Sequence, residues 1–167
     1  MSDKTVLIAN GQGFWGDSLL GPKRLVEEGP LDYLTLDYLA EVTMSIMQKQ
    51  RLRNPEVGYA TDFVEMLREI LPTCQKKGIK VIANAGGVNP KGCLKAIKQV
   101  VKELGLTRIK IGIVEGDDIL DQLPELMKSG EQFKNLDNDE SVDTILDRIS
   151  SANVYIGAKP IAEALDQ

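Results

Sequence analysis

Asn10-Gly11-Gln12-Gly13-Phe14-Trp15-Gly16-Asp17 follows the apolar run Val6-Leu7-Ile8-Ala9 without a spacer. A strand that runs into three glycines brings backbone N–H groups close to whatever lies at its carboxyl end. Gly11, Gly13 and Gly16 also match the spacing of a dinucleotide fingerprint, and Asp37 ends the second apolar run where a ribose-binding acid would stand. Two features count against a dinucleotide-binding domain. Gly21-Pro22 delays the helix start, and Phe14 and Trp15 are bulky where such a turn is slim. The loop equally suits another small ligand, or is a turn shaped only for packing.

A second soft turn, Asn84-Ala85-Gly86-Gly87-Val88-Asn89-Pro90, leads from an apolar run into a helical pattern. Gly86 and Gly87 tolerate positive φ, and a helix N-terminus favours an anion. The plainer reading has the glycines make the turn and Asn89 cap the helix. Glu115-Gly116-Asp117-Asp118 clusters carboxylates that could bind Mg²⁺ or raise one another's pKa, although capping of the next helix is simpler. Cys93 falls in the first turn after Pro90, where a thiolate would be stabilised, against the commoner role of a small packing residue.

The candidate acid–base groups are therefore Asp37 and Asp117, with Asn10, Gln12 and Asn84 as orienting carboxamides. Gly11, Gly13, Trp15, Gly16, Gly86, Gly87 and Asn89 complete the ligand-binding set. No metal site is assigned, and the residues single out no cofactor. The chain has no histidine, which excludes Ser-His-Asp triads, Cys-His pairs and His-ligated metals. Its two cysteines lie in no ligand-like spacing. A net charge of −5 argues against a nucleic-acid-binding face. No apolar run approaches the roughly 20 residues of a membrane span. The amino terminus does not resemble a signal peptide, so a cytoplasmic location with reduced thiols is expected.

These residues need elements to position them. Strands are expected at Thr5–Ala9, Leu31–Leu36, Lys80–Ala83, Ile109–Val114 and Asn153–Ile156. Helices are expected at Pro22–Glu28, Tyr38–Arg53, Thr61–Lys77, Pro90–Gly105, Ile119–Met127 and Val142–Ile149, with a last one opening at Pro160. Leu39, Val42, Ile46 and Met47 form the apolar stripe of the second helix, and Pro72 should kink or shorten the third. Tyr155 is expected to face a core or lie at a sheet edge. The alternation implies a single α/β domain over residues 1–167: an open, mostly parallel, Rossmann-like sheet with helices on both faces. The alternative is part of a βα barrel. Either fold places a ligand at the carboxyl ends of the strands.

Several long segments carry a family resemblance. Asn10–Asp17, Gly29–Glu41, Gly58–Phe63, Asn84–Pro90, Gly116–Asp118 and Ser151–Ala158 resemble the amino-terminal portion of the acyclic terpene utilisation protein AtuA family. Members of that family are longer, so the chain is expected to be the amino-terminal part of a larger protein. Its partners would be a homo-oligomeric copy or the remaining carboxyl-terminal region. The resemblance implies a catabolic role on branched isoprenoid acids, handled as carboxylates or CoA thioesters. It supplies no reaction and no catalytic residue. The leading expectation is a protein that binds a small anionic metabolite, through N–H groups of the two glycine turns. The alternative is a non-catalytic accessory subunit of a metabolic complex, anchored by Phe14 and Trp15.

Overall fold

The computed structural model describes residues 5–167. The chain divides into two compact units, one ending at Ile113 and the other spanning Val114–Gln167. The first contains β1 (Ile8–Gln12), α1 (Leu20–Glu28), β2 (Tyr33–Leu36), α2 (Glu41–Arg53), α3 (Thr61–Lys77), β3 (Lys80–Ala83) and α4 (Pro90–Glu103). Its strands form a parallel sheet in the order β1-β2-β3. The α/β class stands as expected.

Strand order without a reversal is shared by the wall of a βα barrel and by one half of a doubly wound sheet. Crossovers that are right-handed and progress one way deliver their helices to one face. Accordingly α1 packs on β1 and β2, α3 packs beside α1, and α4 packs beside α3. This layer buries Leu34 and Leu36 of β2 together with Val26, Leu67, Ile70 and Val100. On the opposite face of these three strands Tyr33, Thr35 and Ile82 are partly buried, while Asn10 and Lys80 are exposed. Ile8, on that same face, is 65% exposed.

β1 begins later and runs further than the apolar run suggests. Asn10, Gly11 and Gln12 are strand residues, with a bulge between Asn10 and Gln12. Thr5, Val6 and Leu7 stay outside the ladder and exposed. The bulge adds one residue and turns Gln12 into the covered side, where it is buried. Helix α3 continues through Pro72 to Lys77, because Ile70, Leu71 and Cys74 are buried around the proline and hold the last turns in place. In α2 the buried stripe is Met44 and Met47, whereas Val42 is 69% exposed and Ile46 also faces outward. Tertiary contact selects a face rotated from the one that hydropathy alone favours.

The second unit contains α5 (Leu123–Lys128), α6 (Lys159–Leu165) and 3₁₀ turns at Leu120–Gln122 and Val142–Arg148. The expected fourth and fifth strands do not form among the described residues. Ile109 and Ile111 pack against the core of the first unit, but no ladder pairs them. β-branched alternation marks a segment able to be a strand, and a partner edge decides whether it becomes one. Asn153 makes a single antiparallel bridge, to Asp118. Tyr155 is 97% exposed, facing neither a core nor a ladder.

Candidate functional site

The three strands end in polar residues that bond to one another. Asp37 N–H donates to the Gln12 carbonyl at 3.0 Å, joining the end of β2 to β1. Asn84, just past β3, donates through Nδ2 to Asp37 Oδ1 at 2.7 Å and accepts Tyr38 N–H through Oδ1 at 2.7 Å. Asn10 donates to the Gln12 carbonyl at 3.0 Å and accepts the Thr35 hydroxyl at 3.1 Å. Asn10, Gln12, Asp37 and Asn84 are thus brought together along one rim. Asp37 is exposed, and Oδ1 also accepts Leu39 N–H, leaving Oδ2 without a bond among the described residues.

Beneath this rim lies a buried support. The Tyr38 hydroxyl donates to Gln12 Oε1, and Gln12 Nε2 donates to the Asp17 carbonyl at 3.2 Å. Tyr38 meets Phe63 edge-on, with ring centroids 5.6 Å apart. Burial, reinforced by the charge of Asp62, pushes the Tyr38 phenol well above its ordinary pKa and keeps it a hydrogen-bond donor.

The first glycine turn already holds an anion of its own. Asp17 accepts Gly13 N–H at 3.1 Å and Ser18 N–H at 2.7 Å. These backbone donors hold its carboxyl below the usual carboxylate range. Gly11 is not in the loop; a side chain there would meet Leu36 and the ring of Pro22. Gly16 occupies the turn with positive φ. Trp15 is half-buried against the core and donates Nε1–H to Asp62 at 3.0 Å, whereas Phe14 is 61% exposed.

In the second glycine turn Gly87, Val88 and Asn89 N–H are likewise bonded within the chain. Val88 N–H bonds the Gly58 carbonyl and Asn89 N–H the Gly86 carbonyl, both at 3.0 Å. Asn89 caps α4 by accepting Gly92 N–H, and its amide donates to the carbonyls of Pro55 and Val57. Cys93 lies in that first helical turn, but burial outweighs the helix terminus and pushes its thiol up to about 12. Cys74 is raised to about 11 for the same reason. Both thiols are expected to resist alkylation in the native chain at neutral pH and to react only on unfolding, as a mass-resolved labelling time course would show. Because both folded pKa values are raised, their contribution to stability is complete below pH 9 and lost as pH rises through 11 and 12.

Asp117 belongs to the second unit. Its carboxylate accepts the Asn153 side-chain amide at 3.0 Å, and Asp118 caps the next turn through Leu120 N–H. Among the described residues, no three Cys, Asp or Glu side chains gather into a metal-binding group.

The family model for the acyclic terpene utilisation family protein AtuA matches residues 6–167, nearly the whole chain. The chain belongs to that family. No curated protein and no solved structure matches it. Membership in the AtuA family links the chain to acyclic terpene utilisation. No helix among the described residues is long and apolar enough to cross a membrane.

Thr35, Tyr38 and Asp17 complete this site without having stood out as ligand-binding residues. The signal for Thr35 is present in Tyr33-Leu34-Thr35-Leu36-Asp37, whose strict alternation sets the odd-numbered residues on the face opposite the core. The Tyr38–Gln12 contact had no comparable signal, because it depends on the β1 bulge.

Proposed function

We propose that this AtuA-family chain binds a branched, isoprenoid-type metabolite, as a carboxylate or CoA thioester, at the carboxyl rim of the β1-β2-β3 sheet. The observation that carries this reading is the junction of Asn10, Asp37 and Asn84, supplied by three strands at the edge where α/β sheets take their ligands. Asp37 is the candidate acid–base group, since its Oδ2 is free to meet a ligand proton. Asn10 and Asn84 fix the geometry around it. The glycine turns shape the rim, and Gly13, Gly87, Val88 and Asn89 spend their N–H groups on acceptors within the chain.

Dimethyloctanoic acid, a saturated branched acyclic acid, is a suitable probe for amide chemical-shift mapping. Saturable shifts centred on Asn10, Thr35, Asp37 and Asn84 are expected. Asn10→Ala should weaken binding about fivefold, the worth of one neutral hydrogen bond. Shifts centred on Gly86–Asn89, or no saturable response to the acid or its CoA thioester, would remove the reading.

Exposed Phe14 favours one second reading, docking on a partner protein. In that case Phe14→Ala abolishes co-purification of a partner while Asn10→Ala leaves it intact.

A further inference from the structure

We propose that the sheet face opposite α1 extends the rim site, and that Lys80 anchors the carboxylate of an elongated monoacid lying along it. This rests on the rim reading above and adds a polarity to it. The rim offers carboxamides and the Asp37 carboxylate; Gly13, Gly87, Val88 and Asn89 N–H bond within the chain, and the Arg51 guanidinium beside the second turn donates to the Val88 carbonyl, so the cation at that turn is already engaged. The register supplies one lower on the same face. Ile8, Tyr33 and Lys80 form one row of the sheet, and Asn10, Thr35 and Ile82 form the row two residues above it. Alternation places Asp37 and Asn84 at the top of that same face.

Parallel sheets are ordinarily covered on both faces by apolar contacts. This face instead carries a hydrogen-bonded Asn10–Thr35 pair and an Asp37–Asn84 pair, with Ile8 exposed beside them. The Lys80 ammonium sits 5.6 Å from the Tyr33 ring centroid and makes no ion pair among the described residues. Asp32, next to Tyr33, directs its Oδ2 to Leu7 N–H instead. From Lys80 to Asn84 is four residues, roughly 13 Å at the rise of a strand. The site therefore fits an extended chain with one anionic end, whose apolar middle crosses Ile82 between Lys80 and Asn84. Its other end meets Asp37 and Asn84. Repulsion from Asp37 sets the direction, keeping the carboxylate away from the acid–base group.

Isothermal titration of the full chain with dimethyloctanoic acid and its methyl ester tests this at neutral pH. The acid should bind about tenfold more tightly than the ester, the scale of a charge-assisted contact at an exposed site. Lys80→Met should abolish that preference by weakening the acid alone, and Lys80→Arg should keep it. Equal binding of acid and ester, or a preference surviving in Lys80→Met, overturns the Lys80 assignment while leaving the rim reading intact. Failure of both ligands to bind removes both. A chain that is dimeric in solution and dissociates on Ile8→Glu assigns the face to a second copy, which also overturns the proposal.

Discussion

Gly87→Ala is expected to destabilise the first unit by about 3 kcal/mol, combining roughly 1–2 kcal/mol for a left-handed non-glycine residue with 1–3 kcal/mol for overpacking. Gly87 has φ +53°, and a Cβ there would press on the Met47 sulfur and lie 2.8 Å from the Gly58 carbonyl oxygen. Neither neighbour can easily withdraw. Met47 is fully buried, and the Gly58 carbonyl already accepts Val88 N–H. For a chain of this size the loss corresponds to a fall in Tm of about 6–12 °C. Gly13→Ala is the control. No atom lies within 4 Å of its added Cβ, and that variant should melt within about 2 °C of the parent. Equal stability of the two variants would refute the packing role assigned to Gly87.

Tyr38→Phe is expected to cost about 2 kcal/mol in urea denaturation, because it removes the donor to a buried acceptor, Gln12 Oε1, without changing shape. Adding Gln12→Met removes the orphaned acceptor, and the double variant should be more stable than Tyr38→Phe alone. The bond from Gln12 Nε2 to the Asp17 carbonyl is lost as well, but Asp17 is partly exposed and water can replace it. A double variant no better than the single one would show that the pair is not the support of the rim. The pH dependence has a definite sign. The phenol's folded pKa is raised above 10.0, so its contribution is complete below pH 10 and disappears as pH climbs beyond it. Tyr38→Phe should lose that alkaline component.

Much of the local architecture was legible in the chain. Thr61–Lys77 and Lys80–Ala83 begin and end where their patterns do, because Gly78 provides a left-handed C-terminal residue and the apolar spacing is strong on either side. Asn89-Pro90 opens α4 as its residue types require, with Asn89 as the cap. Asn10, Gln12, Asp37 and Asn84 could be singled out because a carboxamide or carboxylate directly after an apolar run lies at a sheet's carboxyl edge in an α/β fold.

Residue order determined the α/β class, the membership signalled by long motifs, and which side chains could reach a common rim. Those follow from local propensity and from the one-way geometry of right-handed crossovers. The tertiary structure decided which N–H groups of the glycine turns are bonded within the chain. Whether a backbone N–H is free for a ligand depends on acceptors distant in sequence: the Gly58 carbonyl takes Val88 N–H, and Asp17 takes Gly13 N–H through a turn whose shape depends on Gln12. It also decided that the packed helices α1, α3 and α4 lie on the Leu34–Leu36 face, leaving Ile8 exposed on the other. Right-handed crossovers that progress one way deliver their helices to one face, and that progression is a property of strand order rather than of any residue within the strands.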